Sequence, residues 1–391
     1  MNTADVAIIG VGITPFGKHI DRSLKSLGAE AVDAALADAG LEKSDIDMAF
    51  VANSMAAVIT GQVSVIGQSV LRANGFSGIP VFNIDNACAS SSSALTLAVQ
   101  AILSGSANSV LVLGVEKLMS PDRSKAYLAL NGAADPDFIA AAAIDVSKES
   151  IFVAAVYPER LGRYADTYGL RAETLAQVAV KNRANAVANP IAQYREPITV
   201  DDVLKSRQIV GPITALMCAP IGDGASAAVL TRKDRLAKGQ RPVWVSASAV
   251  GTGGSPDGVS AIRRVATRAY QQAGIKPADV DLAEVHDSIA FNEMLAYEEL
   301  GFCERGAAAI LVESGATTWH GRLPVNPSGG LESRGHPVAA TGLAQIAELV
   351  TQLRGEAGER QVAKARVALA ENAGGFALDD TAAIAVTILQ A

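Results

Sequence analysis

The sequence predicts a layered α/β fold built from two similar halves. Three observations carry this prediction. A segment near the N-terminus recurs 234 residues later, strand-like apolar runs alternate with amphipathic helical patterns in both halves, and 391 residues that are 49% hydrophobic suffice for a large core. Strands that alternate with helices bury their apolar faces by packing as layers of sheets and helices.

The internal repeat is the most specific of these observations. Residues 31–51, AVDAALADAGLEKSDIDMAFV, correspond to residues 265–285, VATRAYQQAGIKPADVDLAEV. Identical positions include Gly40 and Gly274, Asp45 and Asp279, and Asp47 and Asp281. Each copy is typical of an amphipathic helix that ends at glycine, a short acidic turn and a strand, and each follows an apolar run ending in a G-x-G turn. Chance similarity is the alternative, but the shared order of features favours duplication.

The repeat divides the chain into a first half, residues 1–240, and a second half, residues 241–391. Within the first half, residues from about 116 to 220 are extra material, which we interpret as an inserted loop domain folded over one face of the core. A glycine turn and strand at 221–232 close the first half, and the basic run 231–242 is the predicted linker.

Composition narrows the class of protein. The net charge of −7 argues against a surface that is basic throughout, so no nucleic-acid partner is expected. No apolar stretch approaches the ~18 residues of a membrane-spanning helix, and the N-terminus lacks the pattern of a signal peptide. Three widely spaced cysteines fit neither a disulfide framework nor a zinc cluster. These features indicate a cytoplasmic protein without a membrane partner.

Symmetry between the halves suggests a pair of reactive side chains. Cys88 lies immediately before a helical pattern of the first half, and His336 occupies the corresponding place in the second. If the halves pack about a pseudo-twofold axis, the two helix N-termini converge and bring a thiol next to an imidazole. A helix N-terminus lowers the pKa of a thiol and offers backbone amides to an oxyanion. The alternative is that Cys88 is an ordinary buried cysteine.

The other candidate side chains are interpreted from their local context. His286 follows the strand of the second repeat and is a further candidate, whereas His19 and His320 lie in predicted loops. Cys218 and Cys303 are predicted to be packing residues. No metal site is expected, because the sequence has no CxxC or HxxxH spacing.

Four blocks of the sequence resemble the thiolase superfamily, and in particular its sterol-carrier-protein-2-type and archaeal-like branch. They are the segment around Cys88, VHDSIAFNE at 285–293, NPSGGLESRGHPVAATG at 326–342 and ENAGGFALDD at 371–380. The resemblance extends over essentially the whole chain. It implies the thiolase fold, an α/β fold of five layers, αβαβα, in which two duplicated halves contribute mixed sheets and the first half carries an inserted loop domain.

The resemblance also implies roles for the candidate side chains. Cys88 would be the acylated nucleophile, His336 the base that takes its proton, and His286 the partner of His336 in a first oxyanion hole. The backbone amides of Cys88 and Gly374 would form a second oxyanion hole around the acyl-enzyme carbonyl. Coenzyme A would be a co-substrate, and no permanently bound cofactor is expected.

The sequence departs from the family at the second catalytic cysteine, the acid/base for the α-carbon proton. Where this branch has H-D-C-F the chain has HDSI, with Ser288 in place of cysteine, and the other family location holds Asn372. Ser288 remains a catalytic candidate that orients water or relays a proton, and Asn292 and Gly330 are substrate- or oxyanion-binding candidates. Because a hydroxyl is a far weaker acid than a thiol of pKa ~8.5, acetyl-CoA self-condensation is disfavoured and cleavage is favoured.

The function implied is CoA-dependent thiolytic cleavage of a bulky, branched or aryl 3-oxoacyl-CoA, of the benzoylsuccinyl-CoA type, through an acyl-cysteine. The alternatives are a thiolase-fold aldolase or condensing enzyme, and an inactive subunit that binds acyl-CoA or serves as a scaffold. The implied partners are acyl-CoA and CoA, a second copy in a homodimer with strand 81–85 at the contact, and a small zinc-ribbon/OB-fold protein. Candidates for the CoA-contacting cation are Arg123, Lys125, Arg160 and Arg163.

Overall fold

Strands and helices alternate along the residues that the computed structural model describes, 5–254, 258–377 and 380–391. Residues 378–379 of the ENAGGFALDD block lie outside this description. The strands are β1 Val6–Ile13, β2 Met48–Ala52, β3 Val81–Ile84, β4 Ser109–Glu116, β5 Gln208–Val210, β6 Ile213–Thr214, β7 Gly224–Arg232, β8 Val243–Gly251, β9 Leu282–Glu284, β10 Val367–Ala377 and β11 Asp380–Gln390. The α-helices are α1 Leu24–Ala39, α2 Ala56–Thr60, α3 Ile66–Ala73, α4 Ser90–Leu103, α5 Ser124–Asn131, α6 Pro136–Ala142, α7 Tyr157–Tyr168, α8 Ala172–Ala186, α9 Val200–Lys205, α10 Ala261–Ala273, α11 Ala290–Glu299, α12 Ala308–Glu313, α13 Gly330–Arg334 and α14 Thr341–Leu353.

Nine strands form one mixed sheet in the order β3-β2-β4-β7-β1-β8-β11-β10-β9. In the first half β2 runs parallel to β3 and β4, while β7 runs antiparallel to β4 and β1. The second half repeats this pattern, because β9 is parallel to β10 and β11 is antiparallel to β10 and β8. The halves meet in a short antiparallel pairing of β1 with β8, which pairs Ala7 with Trp244 and Ile8 with Val243.

Helices α4 and α14 form a central layer between the strands of the two halves. Their apolar side chains pack with residues such as Ile8 and Val112 of the first half and Ala368 of the second. The opposite strand faces carry Ile9 and Leu111, which pack against α1 and α3, while α8, α10 and α11 cover the second half. Strands buried on both faces need nearly continuous apolar runs, as this sequence has. The predicted layered architecture of five layers, αβαβα, is confirmed.

The repeated acidic and glycine positions have the same structural task in both halves. Asp47 accepts hydrogen bonds of 2.8 and 3.0 Å from the two backbone amides at the start of β4. Asp281 accepts bonds of 3.0 and 2.9 Å from the two amides at the start of β10. Gly40 and Gly274 end their helices with left-handed φ angles of 65° and 67°, a conformation that glycine adopts without steric cost. The residues that are identical in the two copies therefore end the helix and hold the start of the following strand in both halves.

The predicted G-x-G turn of the first half is wrong. Gly10 and Gly12 lie inside β1, which continues to Ile13. A Cβ atom on Gly12 would lie 2.1 Å from the carbonyl oxygen of Ala31 in α1. These glycines therefore permit close packing of helix on strand and do not reverse the chain.

The inserted segment contributes α5 to α9 and the antiparallel pair β5–β6. One turn of π-helix, Phe152–Val156, directly precedes α7. Within the described parts of the chain, no helix is both long enough and apolar enough to cross a membrane.

Candidate active site

Cys88 lies in the tight connection between β3 and α4. The preceding residue, Ala87, has a left-handed φ of 50°, which is uncommon for a residue that carries a Cβ atom. The hydroxyl of Ser90 stabilises this turn by donating to the Ala87 carbonyl (2.5 Å) and accepting from the Asn86 amide (2.8 Å). Backbone strain of this kind persists where the surroundings enforce it, often at functional sites. The turn delivers the Cys88 sulfur to the N-terminus of α4.

Two of the four serines at the start of α4, Ser91 and Ser92, connect this helix to the second half. Ser91 Oγ accepts the backbone amide of Leu343 in α14 at 3.0 Å, and Ser92 Oγ donates to Asn372 Oδ1 at 2.9 Å. The helices approach closely because α14 has Gly342 at the contact, where a Cβ atom would lie 2.0 Å from Ser92 Oγ. The serines thus position the start of α4 against the second half.

His336 lies before α14 and next to a short 3-10 turn, Val338–Ala340. The carboxylate of Glu116, at the end of β4, accepts the Ala339 amide at 3.1 Å and the Met55 amide at 3.2 Å. An acidic group of the first half therefore caps the start of the second central helix, where negative charge is favoured. This contact holds the His336 segment against the Cys88 side of the molecule.

The two helix starts bring three reactive side chains together. The Cys88 sulfur and a ring nitrogen from each of His286 and His336 lie within 4.8 Å of one another. The imidazole rings are 5.3 Å apart between centroids and nearly perpendicular, at 79°. A thiol from one half thus lies within reach of two imidazoles from the other.

Hydrogen bonds assign opposite tautomers to the two histidines. The Thr341 hydroxyl donates to the Pro337 carbonyl at 3.0 Å, so it accepts from His336 Nδ1 at 2.7 Å. The Nε2 atom of His336 is left with a lone pair. Asn372 Nδ2 donates to His286 Nδ1 at 3.0 Å, which places the proton of His286 on Nε2. One ring therefore offers a base and the other an N–H donor.

Burial makes all three groups neutral. Desolvation, followed by the positive charge of Arg334, lowers the pKa of His286 to about 3, and desolvation holds the pKa of His336 well below its ordinary value. Desolvation also raises the pKa of Cys88 to about 12, although hydrogen bonds from the amides of Gly375 and Cys88 itself lower it. The sequence-based expectation of a lowered thiol pKa is wrong for the resting protein, because desolvation outweighs the helix N-terminus.

The three side chains open into a cavity of about 250 Å³. The wall opposite them comes from the inserted segment and is mainly apolar and aromatic, with the hydroxyls of two tyrosines and the guanidinium of one arginine among its polar groups. It includes Leu118, Tyr127, Leu130, Phe152, Val153, Val156, Tyr157 and Arg160. Such a cavity suits a bulky apolar ligand oriented by a few polar contacts.

Of the remaining predicted residues, Gly374, Ser288 and Asn292 line the cavity and Gly330 does not. Gly330 lies behind the site, where a Cβ atom would come within 2.2 Å of the Asp287 carboxylate. The same carboxylate accepts backbone amides at the start of α13. Gly330 therefore serves the packing of a buried carboxylate and does not touch the cavity.

Two cavity residues were missed by sequence reasoning. Cys218 was predicted to be a packing residue, but its side chain faces the cavity as well as the second-half core. Tyr157 places its hydroxyl 3.1 Å from Ser288 Oγ, which also accepts Asn292 Nδ2 at 2.7 Å. Both residues belong to the insertion, whose sequence has no regular spacing that predicts which side chains face the cavity. Asn372, in contrast, lies beneath His286 and outside the cavity wall.

The basic and metal-ligand candidates are also placed. Of the four cations considered for CoA, Arg160 lines the cavity, whereas the exposed Arg163 pairs with Glu159 at 3.2 Å. The atoms of Cys88, His286 and His336 also form a donor set of the type that binds soft divalent ions. Their spacing in the chain gave no sign of this convergence, and the absence of a metal stays a prediction.

Comparison with known proteins agrees with this architecture. The family model described as "Thiolase, N-terminal domain" matches residues 6–234, and "Thiolase C-terminal domain-like" matches residues 248–387. The acetyl-CoA acetyltransferase of Methanothermobacter thermautotrophicus is 38% identical over 379 residues, covering 95% of this chain and 96% of that protein. Human sterol carrier protein 2 is 37% identical over 391 residues, covering 94% of this chain and 70% of that protein.

A solved structure described as an Ltp2-ChsH2(DUF35) aldolase matches with a TM-score of 0.81 and 28% identity, over 99% of this chain and 98% of that one. The two family models describe thiolase domains, and the relative from Methanothermobacter thermautotrophicus is named as an acetyltransferase. The chain belongs to the thiolase family and is an acyltransferase.

Proposed function

We propose that this protein cleaves a 3-oxoacyl-CoA by CoA-dependent thiolysis through an acyl-Cys88 intermediate. The observation that carries the proposal is the convergence, within 4.8 Å, of the Cys88 sulfur with ring nitrogens of His336 and His286. His336 Nε2 has a lone pair, and His286 Nε2 carries a proton. A thiol beside a base, with a hydrogen-bond donor nearby, is the minimum arrangement for nucleophilic attack on a carbonyl.

In the first half-reaction His336 takes the proton of Cys88 as the sulfur attacks the 3-oxo carbon. The transfer must accompany the attack, because burial raises the pKa of Cys88 to about 12 and keeps the imidazole a weak base. The N–H of His286 and the backbone amides of Cys88 and Gly374 are the donors we assign to the developing oxyanions. Cleavage of the carbon–carbon bond then expels a CoA-ester enolate.

Before the second half-reaction the enolate is protonated at its α-carbon and His336 loses the Cys88 proton to solvent, so the imidazole is neutral again. The thiol of free CoA then attacks acyl-Cys88. His336 takes the proton of CoA and returns one to the Cys88 sulfur as that sulfur leaves. Both steps use the same base and the same donors.

The proton-handling groups are protonated in the resting protein, the form in which cleavage begins. Condensation requires a base that removes a proton from the α-carbon, whereas cleavage requires a donor that protonates an enolate. The groups that line the cavity together with the Cys88 thiol include the hydroxyls of Ser288 and Tyr157, the amide of Asn292 and the thiol of Cys218. Burial raises the pKa of Tyr157 and of Cys218 to about 12, so both stay protonated at neutral pH. They are donors and poor bases.

The cavity wall supports a bulky acyl group, branched or aryl-bearing, as the substrate class. Phe152 and Tyr127 offer aromatic surface, and the Arg160 side chain offers positive charge. Arg160 donates to Thr381 at 3.2 Å and lies 3.8 Å from Asp380, which leaves further N–H groups for a ligand. A carboxylate on the acyl chain, as in a benzoylsuccinyl-CoA-type ester, would suit that position.

A panel of 3-oxoacyl-CoA esters tests this function. We expect CoA-dependent cleavage to be faster for an aryl ester carrying a carboxylate than for acetoacetyl-CoA, measured as product CoA esters by chromatography. Cys303→Ala is the control for loss of a thiol outside the cavity and should keep full activity. Absence of CoA-dependent cleavage of every ester in the panel would reject the proposal.

The aldolase match supports one second candidate, retro-aldol cleavage of a 3-hydroxyacyl-CoA with a small partner protein. That reaction needs no acyl-enzyme and therefore no nucleophilic thiol. A Cys88→Ala variant that retains full carbon–carbon cleavage would favour it. Added zinc-ribbon/OB-fold protein should increase turnover under this second candidate.

The sheet edge supports a homodimer. Strand β3 is an edge strand with Phe82 46% exposed and stacked on Phe50 at 5.2 Å. Such an edge offers unpaired backbone groups to a second copy. Light scattering should give twice the chain mass, and Phe82→Asp should shift the population towards monomer. The three free cysteines favour a reducing, cytoplasmic environment.

A further inference from the structure

We propose that Tyr157 is the proton donor to the α-carbon of the leaving enolate. The inference rests on the proposed thiolysis and names the group that does the work of the absent second cysteine. Tyr157 belongs to the inserted segment, whereas Ser288, at the cysteine position, belongs to the second half. The two hydroxyls meet at 3.1 Å in the wall of the cavity that contains the Cys88 thiol.

Counting protons shows that one hydroxyl proton of this pair is not used in the contact between the two residues. Asn292 Nδ2 donates to Ser288 Oγ at 2.7 Å, so the serine oxygen already accepts one bond. The contact between Ser288 and Tyr157 uses one of the two hydroxyl protons, whichever residue donates. The second hydroxyl proton has no acceptor in the pair and is free for a ligand. The amide of Asn292 thus orients a donor.

The negative charge left after donation belongs on the tyrosine oxygen. A phenol is a stronger acid than an aliphatic alcohol, so Ser288 can relay a proton but Tyr157 must be its source. The hydrogen bond from Ser288 lowers the pKa of Tyr157, although desolvation raises it more, to about 12. Ser288 therefore stabilises the phenolate that the reaction forms.

The local backbone aims the ring at the cavity. The amide of Tyr157 bonds to the carbonyl of Phe152, five residues back, in the π-helical turn before α7. The inserted residue shifts the direction of later side chains by about 100°, one residue's rotation in a helix of 3.6 residues per turn. Single π-turns inside helices are frequent at functional sites. The turn therefore explains why Tyr157, and not a neighbour, reaches Ser288.

Cys218 is the competing donor, and its geometry is poorer. Its thiol directs its proton to the Thr214 carbonyl at 3.5 Å. No amide orients it in the way that Asn292 orients the hydroxyl pair. The structure therefore favours Tyr157.

The proton balance closes without another reactant. The carbon–carbon bond breaks, its electron pair forms the enolate, and the Tyr157 proton forms the new α-carbon–hydrogen bond. His336 then holds the Cys88 proton as imidazolium, and Tyr157 is a phenolate. Before CoA attacks, solvent in the cavity takes one proton from the imidazolium and returns one to the phenolate. Both groups are then ready for the second half-reaction.

Two assays separate this role from a structural one. Thiolysis of a 3-oxoacyl-CoA needs the α-carbon proton, whereas exchange of labelled CoA into a saturated acyl-CoA passes through acyl-Cys88 without it. We expect Tyr157→Phe to slow thiolysis by about 10²-fold and to leave the exchange rate within about two-fold of wild type. Ser288→Ala should slow thiolysis less, because the tyrosine proton remains. Tyr168→Phe, in the same inserted segment, should change neither rate.

Full thiolysis by Tyr157→Phe would overturn the proposal, and so would an equal loss of thiolysis and exchange. Wild-type protein that is inactive in both assays would instead reject the acyl-enzyme function itself. Proton exchange at the α-carbon of the product CoA ester in heavy water gives a further readout. It should fall in Tyr157→Phe in proportion to thiolysis, and an unchanged exchange rate would contradict the assignment.

Discussion

The two halves have the same aspartate contact at the start of a strand, but they differ in the side chains at the carboxyl ends of their strands. Asp47 and Asp281 hold the next strand in the same way, but the offset of 234 residues places His286 opposite Ala52. Ala52 ends β2 and His286 lies two residues after the end of β9. Both positions are thus at the carboxyl ends of strands, where side chains of an α/β sheet meet ligands. The two halves therefore share the aspartate hydrogen bonds that hold the next strand, whereas the side chains at the carboxyl ends of their strands differ.

The starts of the central helices show the same division. The first half supplies Cys88 on a turn of small residues, and the second supplies His336 on a turn capped by Glu116 from the first. Neither half has a complete site. The inserted segment then adds the wall with Tyr157, for which the second half has no equivalent among its described residues.

Removal of the Cys88 thiol should cause the largest loss of activity. Cys88→Ser should lower thiolysis by on the order of 10³-fold or more, because the nucleophile is lost and the histidines cannot replace it. Measured kcat/KM for a cleaved ester checks this. Activity of Cys88→Ser close to that of the Cys303→Ala control would show that the first half does not supply the nucleophile.

A smaller loss should follow from releasing His286. Asn372→Ala removes the amide that fixes the tautomer of His286, without touching the cavity wall. We expect kcat to fall by about 10- to 100-fold, the usual effect of losing a group that orients an active side chain. Asn372→Asp, which cannot donate to Nδ1, should lose as much as alanine. Wild-type kcat in both variants would refute the assigned tautomer.

Two buried glutamates, Glu116 and Glu371, should differ in their contribution to the free energy of unfolding. Glu116 accepts several backbone amides, whereas Glu371 accepts only the His286 amide and has one oxygen without a partner in the described structure. Glu116→Gln should lower the unfolding free energy by about 1–3 kcal/mol, since an amide group cannot accept from all the donors. Glu371→Gln should not be destabilising at pH 8. Chemical denaturation of both variants measures the difference.

The pH dependence follows from the same groups. Desolvation raises the pKa of both Glu116 and Glu371 to about 7 in the folded protein, above the ~4.5 of the unfolded chain. The folded state therefore binds more protons between about pH 4.5 and 7, and each group's contribution to stability falls as pH rises through that window. Glu371→Gln should gain melting temperature relative to wild type from pH 5 to pH 8. A constant difference would contradict the shift.

The smallest expected effect is on stability, from substituting the two equivalent aspartates Asp47 and Asp281. Asp47→Ala and Asp281→Ala each remove an acceptor for two backbone amides at a strand start and should each cost about 1 kcal/mol of stability. The two losses should agree within about 0.5 kcal/mol, with kcat unchanged in both. A large cost in one half alone would show that the two aspartates are not equivalent.

Periodicity and the repeat predicted a layered α/β fold and the meeting of Cys88 with His336, because apolar patterns and the symmetry of two similar halves can be recognised in a sequence. The number of layers, five, came from the family resemblance. The Cys88 pKa was missed because desolvation depends on the whole fold. The positions of Tyr157 and Cys218 at the cavity were missed because an irregular insertion places them. Gly10 and Gly12 suggested a turn, since sequence alone cannot distinguish a glycine that bends the chain from one that admits a helix.

We propose that the Cys88 sulfur of the first half becomes acylated and that the His336 imidazole of the second half takes its proton. Rapid acid quenching of enzyme mixed with a 3-oxoacyl-CoA in the absence of free CoA, followed by peptide mass spectrometry, tests it directly. We expect an acyl adduct on the Cys88 peptide, formed in step with release of the shorter CoA ester and much more slowly in His336→Ala. Release of that ester without an adduct, or an adduct on Cys218, would contradict it.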